Sequence, residues 1–450
     1  MKRIIAFAIM VMICILPLTG CKKKKNDDTS VAPYMETLTL GTDYTDLDTE
    51  IRFLTFRTDI MDKLNAMAAE FNKTYPNITI TYEGVNNYEE SVIMKLSSGS
   101  NWGDIMMIPH IESDVIDDHF MPLGTLSELS KNYRFTQAWE QDGLVYGIPS
   151  TGNAYGIMYN KQVFADAGIS VLPKTPTEFI TALTAIKQNT TAIPLYTNYA
   201  DEWPMSSWDA HIGVVATGNT DYINNVMIHE NNPFSNRNNE TGPYAVYKIL
   251  YDAVAQGLIE EDYTTTSEAA SYGMLNNGEI GCLVLGSWAC VQAMGAGNNP
   301  NDVGYMPFPI SINGQQYISI GPDYSYGINK YSSYEKKIAS SLYIKWLTEK
   351  SGYAVSEGGI PIYKSETLPA IYSDIASLPM LEESVATSEN KGIFEKLNFE
   401  TELAFNANGN SKVQEIVECA FNGSKTFDQI MNSWNTKWRN AQNKYGVSVN

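Results

Sequence analysis

The sequence predicts an α/β fold divided into two lobes. Short apolar segments typical of strands alternate with segments that have helical spacing, and this order is typical of a mostly parallel sheet flanked by helices. About 400 residues follow the N-terminal segments described below, which is more than one hydrophobic core usually holds. Two domains are therefore expected.

The first part of the chain predicts three strands separated by two helices. Residues 51–56 are apolar and aromatic, as in a strand. Ile60, Leu64 and Phe71 then recur at helical spacing, with Thr58 or Asp59 available as the N-cap. The next predicted elements are strand 78–82, helix 88–96 and strand 105–108. Ligands of such sheets bind beyond the carboxyl ends of the strands, which directs attention to residues 56–59 and 110–113.

The alternation continues in the second part of the chain. Residues 335–347 carry a strong amphipathic helical pattern, with Ile338, Leu342 and Trp346 on one face. The other predicted elements are helix 177–187, strand 192–196, strand 280–285, a helix opening near Trp288, and extended segments 303–308 and 317–320. Two α/β lobes fit this order better than an all-α or all-β layout.

The N-terminus predicts export and lipidation. Lys2 and Arg3 precede the apolar run 4–18, which suits a signal peptide but is shorter than the ~20 residues that span a bilayer. Thr19-Gly20-Cys21 resembles the lipobox of bacterial lipoproteins, which implies cleavage after residue 20 and diacylglycerol on Cys21. An ordinary secretory signal is the alternative. Residues 21–49 are polar and are expected to form a flexible tether on the outer face of a bacterial cytoplasmic membrane.

Composition excludes several functions. The formal charge of −20, which becomes −22 once Lys2 and Arg3 are removed, opposes nucleic-acid binding. The four histidines show no metal-ligand spacing, and no nucleotide-binding or catalytic motif occurs, so no metal or cofactor is expected. The mature chain would hold three thiols besides Cys21, too few for a disulfide framework. A single Cys282–Cys290 bridge remains open.

Motifs within residues 139–179 resemble family 1 extracellular solute-binding proteins. These are Gly143-Leu-Val-Tyr-Gly-Ile-Pro149, Tyr159-Asn-Lys161, Phe164-Ala-Asp-Ala-Gly168 and Pro173-Lys-Thr-Pro-Thr-Glu-Phe179. The family comprises the sugar-binding subunits of ABC importers and includes maltose-binding protein. The sequence departs from the family pattern at Leu144, usually basic, and at Pro176, usually Trp. Two later blocks, 274–288 and 328–333 with 358–361, also resemble the family, in the same order.

The resemblance implies the two-lobed type II periplasmic-binding-protein fold, hinged around a central cleft. Crossings between lobes are expected near residues 150–156, near 310–315 and just after the 335–347 helix. The expected N-lobe is 50–153 with 312–347, and the expected C-lobe is 154–311 with 348–450. Closure of the two lobes on a ligand follows from such a hinge.

The resemblance also implies function. We expect a monomeric, lipid-anchored binding protein without enzymatic activity that captures an oligosaccharide and delivers it to ABC permease subunits driven by a separate ATPase. The alternatives are a glycan-active enzyme or polysaccharide-adhesion protein at the cell surface, or an importer subunit for a solute other than sugar. The paired acidic residues of the chain stand in no arrangement that favours a glycosidase.

Sugar binding needs aromatic rings for stacking and a few fixed polar groups. Trp288 matches the tryptophan of the family's G-x-W motif, although a core position is the alternative. Asp59 is equally explained as a helix cap, and Tyr88 and Glu357 are weaker candidates. The residues predicted to bind the ligand are Phe56, Asp59, Asn153, Tyr155, Trp203, Trp208, Trp288, Asp323, Tyr324 and Tyr326.

Overall fold

The computed structural model describes residues 32–405 and 411–449. The predicted signal peptide, the lipidation site Cys21 and the first part of the predicted tether lie outside these residues. In the described ranges, no helix combines the length and the apolar character needed to cross a bilayer.

Fourteen strands occur in the described ranges. They are β1 (Thr49–Thr55), β2 (Ile78–Gly84), β3 (Ile105–Met107), β4 (Gly124–Thr125), β5 (Glu140–Gln141), β6 (Leu144–Val145), β7 (Ile148–Pro149), β8 (Gly152–Asn160), β9 (Ile193–Tyr196), β10 (Ile280–Gly286), β11 (Val303–Met306), β12 (Ile318–Pro322), β13 (Ser325–Ile328) and β14 (Met380–Glu382).

The same ranges contain fifteen α-helices. They are α1 (Met61–Phe71), α2 (Tyr88–Ser98), α3 (Ile116–His119), α4 (Leu126–Asn132), α5 (Lys161–Asp166), α6 (Pro176–Asn189), α7 (Val214–Thr217), α8 (Gly242–Ala255), α9 (Glu268–Asn276), α10 (Ala289–Gly295), α11 (Tyr334–Glu349), α12 (Tyr353–Ser356), α13 (Ile393–Thr401), α14 (Ser411–Asn422) and α15 (Phe427–Tyr445).

Local sequence explains where the longer helices begin. The Thr175 hydroxyl accepts a hydrogen bond from the Glu178 amide, and Pro176 occupies the first turn of α6, where a missing N–H costs nothing. A capping box of Thr426 and Gln429 starts α15. These caps satisfy amide groups that the helices themselves leave unpaired.

Two mixed sheets form the two lobes. The N-lobe sheet has the order β2-β1-β3-β13-β7, in which β1 pairs in parallel with β2 and β3 while β13 runs antiparallel to β3 and β7. The C-lobe sheet has the order β14-β12-β8-β10-β9, with β11 also paired to β8. Because β8 runs antiparallel to β10, β11 and β12, the expectation of mostly parallel sheets is corrected to mixed sheets.

The crossings between lobes differ in part from the prediction. The first joins β7 to β8 at residues 150–151, inside the predicted 150–156 stretch. The second joins β12 to β13 at residues 323–324, later than the predicted 310–315, because β12 pairs with β8 in the C-lobe sheet. The third follows Ile362, which packs in the N-lobe core, and precedes Tyr372, which packs in the C-lobe core. We therefore assign residues 312–322 to the C-lobe instead of the N-lobe. The return from the N-lobe to the C-lobe falls after residue 362 instead of residue 347.

The described part of the predicted tether packs on the N-lobe instead of hanging free. Ala32, Met35 and Leu38 are buried in the N-lobe core, and the Met35 amide donates to the Leu123 carbonyl at 2.6 Å. The prediction of a free tether rests on the polar composition of this stretch. Its few apolar side chains are buried and hold it against the lobe.

Each lobe has its own buried core. In the N-lobe, Phe53, Phe71 and Tyr343 pack together between β1, α1 and α11. In the C-lobe, Trp434 and Trp438 of α15, four residues apart on one helical face, contact Phe234. Two separate cores connected by three crossings leave the space between the lobes for a cleft.

The cysteines of the C-lobe are buried free thiols. Cys282 lies in β10, Cys290 in α10 and Cys419 in α14. The open question of a Cys282–Cys290 bridge is answered by two separate thiols, each within the hydrophobic core and each with a pKa raised by burial.

Candidate functional site

A cleft of 940 Å³ lies between the two lobes. The N-lobe contributes Phe56, His110 and Trp139 to its walls, and the C-lobe contributes Trp203 and Trp288. Rings on both walls and a volume in the range of small-molecule sites are what a ligand enclosed by both lobes needs.

Trp288 and Tyr155 form one aromatic corner of the cleft. Trp288 follows β10 directly, and its indole packs edge-to-face with the Tyr155 ring at 6.0 Å between centroids and 77° between planes. Tyr155 pairs with Gly286 across the sheet, and a side chain at Gly286 would collide with the indole. The absence of a side chain at this position lets the indole lie over the strand end. Burial raises the pKa of Tyr155 to about 12, so it stays a neutral hydroxyl.

Trp203 opens the 3-10 segment Trp203–His211, which forms part of the C-lobe wall. Asp209 connects this segment to the rest of the C-lobe. It accepts hydrogen bonds from the Tyr247 hydroxyl at 2.6 Å and from Lys412 Nζ at 2.7 Å. Both members of the Asp209–Lys412 pair have almost fully buried side chains. A rigid segment is thereby held under the half-buried Trp203 ring.

Trp208, predicted as a stacking ring, does not line the cleft. It is 3% exposed and packs edge-to-face against Phe308 in the C-lobe core, at 5.7 Å between centroids. Trp203 and Trp208 lie on opposite sides of the same short segment, and the sequence alone gave no way to decide which side faces the ligand. We therefore correct the assignment of Trp208 to a core residue.

The first and second crossings carry polar groups into the cleft. Asn153 is 5% exposed, and its Oδ1 is buried without a hydrogen-bond partner among the described residues. Asp323 accepts from the Tyr324 amide at 2.7 Å, and its own amide donates to the Thr151 carbonyl at 2.9 Å. Burial raises the pKa of Asp323, while a hydrogen bond from Asn153 acts in the opposite direction.

Tyr324 and Phe56 form the N-lobe side of the cleft. Their ring centroids lie 4.8 Å apart, and Tyr88 packs beneath both as a buried residue. The Tyr324 hydroxyl donates to Glu89, which also accepts from the His110 amide and contacts His110 Nδ1 at 3.0 Å. This hydrogen bond with Glu89 raises the pKa of His110. The orientation of Tyr324 is thus fixed by groups of its own lobe.

Tyr326 and Asp59 lie outside the cleft. Tyr326 is 4% exposed and packs edge-to-face on Phe53 in the N-lobe core, because it points to the opposite face of β13 from the cleft. Asp59 is exposed and forms an ion pair with Arg57, whose hydrogen bonds lower the pKa of Asp59. Its carboxylate also accepts hydrogen bonds from the backbone amides of residues 59 and 60. Both assignments to the cleft wall are corrected.

Arg57 lines the cleft in place of Asp59. Its guanidinium is held from two sides, by both oxygens of Asp59 and by Glu357, and it also donates to the Tyr353 hydroxyl at 3.3 Å. Lys63 forms a second ion pair with Glu357. This positive group is therefore already neutralised by two carboxylates.

Residues 382 and 383 also line the cleft, although no ligand role was expected for them. Glu383 Oε1 accepts from the Val214 amide at 2.6 Å, and Gly213 beside it has no room for a side chain. Burial raises the pKa of Glu383 to about 7 and also raises that of Glu382. The pair was visible in the sequence only as one of several acidic pairs. Trp139 was visible only as the first residue of a family motif.

Seven of the ten predicted residues thus meet at the cleft, and their role as ligand contacts stays a prediction. They are Phe56, Asn153, Tyr155, Trp203, Trp288, Asp323 and Tyr324. Across residues 32–405 and 411–449, no cluster of three or more His, Cys, Asp or Glu side chains could hold a metal ion.

Residues 57–354 match the bacterial extracellular solute-binding protein family. The chain belongs to this family. Among solved structures, the fold is similar to the manno-oligosaccharide-specific solute-binding protein BlMnBP2 of Bifidobacterium animalis subsp. lactis, in complex with mannotriose. The TM-score is 0.85 at 41% identity, over 92% of this chain and 99% of the other. BlMnBP1 of the same organism, a binding protein of an ABC transporter in complex with mannobiose, gives a TM-score of 0.85 at 42% identity, with the same coverage.

More distant solute-binding proteins share the fold. RafE in complex with raffinose gives a TM-score of 0.67 at 17% identity, over 88% of this chain and all of the other. The diacetylchitobiose-binding protein DasA of Streptomyces coelicolor is 38% identical over 74 residues, and this match spans only 16% of each chain. The predicted family and the two-lobed α/β fold of a solute-binding protein are both confirmed.

Proposed function

We propose that this solute-binding protein captures an oligosaccharide in the cleft and delivers it to the permease of an ABC importer. The observation that carries the proposal is the pairing of aromatic walls from both lobes, with Phe56 and Tyr324 facing Trp203 and Trp288. Sugars bind through C–H faces stacked on such rings and through hydroxyl groups on fixed polar atoms. Asn153 and Asp323 supply those atoms at the crossings.

Manno-oligosaccharides are the first ligands to test. The similar proteins BlMnBP1 and BlMnBP2 are described in complex with mannobiose and mannotriose, and each resembles this chain over nearly its whole length. A cleft of 940 Å³ is wide enough for more than one sugar ring. An oligosaccharide would contact both lobes at once and so favour the closed state.

The proposed partners are membrane permease subunits driven by a separate ATPase. We propose that the protein is a monomer tethered through lipid on Cys21, outside the cytoplasmic membrane, and that it releases its ligand unchanged. Two acyl chains on one cysteine give stable anchoring, whereas one gives only weak binding. If Cys21→Ala still fractionates with membranes after expression in a bacterial host, the proposed anchor is wrong.

The function is tested with purified protein and a panel of mannobiose, mannotriose, diacetylchitobiose and raffinose. A true ligand at about a hundred times its dissociation constant adds about 2.7 kcal/mol to the free energy of unfolding, visible as a thermal shift. Mass spectrometry of the recovered sugar distinguishes capture from hydrolysis. A panel in which no oligosaccharide raises the melting temperature contradicts the proposal, and cleavage of the sugar favours the enzyme alternative.

A further inference from the structure

The cleft carries more carboxyl groups than cations. Besides His110, which is paired with Glu89, its charged lining comprises one arginine, Arg57, and six acidic residues. Two of the six have cationic partners: Glu357 pairs with Arg57 and Lys63, and Asp209 pairs with Lys412. The other four are Asp323, Glu382, Glu383 and Glu395. No basic side chain in the described part of the chain lies within ion-pairing distance of these four.

These four carboxyls stand around the aromatic walls. Asp323 lies at the second crossing beside Tyr324, Glu382 ends β14 on the C-lobe and Glu383 follows it, and Glu395 lies in the first turn of α13. Arg57 offsets little of this charge, because Asp59 and Glu357 already neutralise it. Burial raises the pKa values of Asp323, Glu382 and Glu383, that of Glu383 to about 7, so the negative potential develops in the cleft as they ionise above that pH. There it adds to the negative charge of the whole chain.

The buried polar groups also favour a hydroxyl donor. Asn153 Oδ1 and Glu383 Oε2 are both buried with no hydrogen-bond partner among residues 32–405 and 411–449. Asn153 Oδ1 is an acceptor, Glu383 Oε2 is one when its carboxyl is ionised, and a buried acceptor without a donor is costly. Sugar hydroxyls can donate to such atoms after a small adjustment on closure, whereas a carboxylate or sulfate on the ligand cannot.

We propose that the cleft selects uncharged oligosaccharides and excludes glycans that carry carboxylate, sulfate or phosphate groups, and that Asp323, Glu382 and Glu383 impose this exclusion. The proposal rests on the proposed function, since it concerns the ligand of the same cleft. An anionic sugar ring placed between the lobes would lie among several carboxylates and be repelled by them. Uncharged rings keep the stacking and the hydroxyl bonds without this repulsion.

The test compares two trisaccharides of equal linkage, β-1,4-mannotriose and β-1,4-mannuronate trisaccharide, which differ only in the carboxylate at each C6. Binding to the whole protein is measured by calorimetry at pH 8 and low salt. We expect mannuronate to bind at least a hundredfold more weakly than mannotriose. Raising the salt concentration should bring the two affinities closer together, because ions screen the repulsion between mannuronate and the cleft carboxylates. Equal binding within threefold overturns the inference while leaving carbohydrate capture intact.

Charge-removing variants test which carboxyl groups exclude anionic sugars from the cleft. The double variant Glu382→Gln/Glu383→Gln should reduce the mannotriose-to-mannuronate ratio at least tenfold, and Asp323→Asn should reduce it as well. The matched control is Glu279→Gln/Glu335→Gln, which removes two exposed charges outside the cleft lining. A control that lowers the ratio as much as the cleft variant refutes the local origin. If the double variant binds neither sugar, the mannotriose-to-mannuronate ratio of Asp323→Asn shows whether the cleft carboxyls cause the exclusion.

The two proposals fail in different ways. If wild-type protein binds no neutral oligosaccharide of the panel, the proposed function fails and this inference falls with it. If it binds neutral and anionic sugars alike, or prefers mannuronate, only the selectivity is wrong.

Discussion

At the residue scale, the structure separates tryptophans that face the cleft from those that stabilise a core. Trp288 is half-buried at the cleft, where it contacts Tyr155 and packs against a C-lobe hydrophobic cluster, so its removal should cost less stability than removal of a fully buried ring. We expect Trp288→Ala to weaken binding of the panel's best sugar at least tenfold with little change in melting temperature. Trp208→Ala should instead lower the free energy of unfolding by about 3–5 kcal/mol, since the site is fully packed. Calorimetry and urea unfolding on both variants check the assignment, and full affinity in Trp288→Ala contradicts it.

Glu260 predicts how stability depends on pH. It is buried in the C-lobe, accepts from the Thr197 amide at 3.1 Å, and burial raises its pKa to about 7, from a usual value near 4.5. The folded protein therefore holds a proton that the unfolded chain releases between these values, so stability falls as pH rises from about 4.5 to 7 and then levels off. The pKa values of Glu268 and Glu383 are also raised to about 7, so these residues contribute to the same loss of stability as pH rises.

The corresponding experiment is urea unfolding of wild type and Glu260→Gln at pH 5 and pH 8, without ligand. The variant lacks the titrating group, so its loss of stability over this interval should be smaller than that of the wild type. Equal losses in the two proteins would show that Glu260 titrates normally in the folded state.

At the element scale, the 3-10 segment Trp203–His211 depends on a buried ion pair. Lys412 of α14 lies against Asp209, and breaking one side of a buried pair typically costs about 3–5 kcal/mol. We expect Lys412→Met to lower the free energy of unfolding by about this amount and to weaken sugar binding, because the segment carries Trp203. The control Lys425→Met removes an exposed pair with Glu415 and should cost under about 1 kcal/mol. If the two variants lose equal stability, the buried pair is not a support of the segment.

Element positions followed from the sequence, because hydrophobic spacing is a local property. Helix α11 and strands β1 and β10 lie within two residues of their predicted bounds. The lobe to which a strand belongs is not local, and β12 was predicted as extended but placed in the wrong lobe. Its partner β8 lies more than 150 residues earlier, and nothing in the spacing of 318–322 encodes that pairing.

The site was predictable where a motif marks it and not elsewhere. Trp288 follows the glycine motif at the end of β10, and Asn153 lies at the first crossing, so their position at the cleft could be predicted, while their contact with a ligand stays a prediction. Glu383 reaches the cleft from a segment without a distinctive pattern, and Trp139 begins a family motif that did not mark it as a ligand contact. The sequence does not show which face of a strand or short helix is directed into the cleft, because that depends on packing. For this reason Tyr326 and Trp208, which pack in the cores, were wrongly predicted to line the cleft.

At the scale of the whole molecule, closure depends on the three adjacent crossings. Directly after the first crossing, Gly152 exchanges backbone hydrogen bonds with Ile360, at 2.8 and 2.7 Å, two residues before the start of the third crossing at Ile362. A side chain at Gly359 would collide with the Thr151 hydroxyl at this point. Added bulk at Gly359 should therefore displace the backbone next to the first crossing.

Gly359→Ala should disturb this hinge and reduce ligand-induced closure. In the wild type, a saturating sugar should lower the radius of gyration measured by small-angle X-ray scattering, because only the closed state contacts the ligand with both lobes. In the variant we expect a smaller decrease and weaker binding, while Trp288 and Trp203 remain in place. Gly295→Ala is the matched control, since a side chain there meets no atom within 4 Å. An unchanged radius on binding in the wild type would mean that the cleft binds its ligand without closing, and the hinge could then have no part in presenting the sugar to a permease.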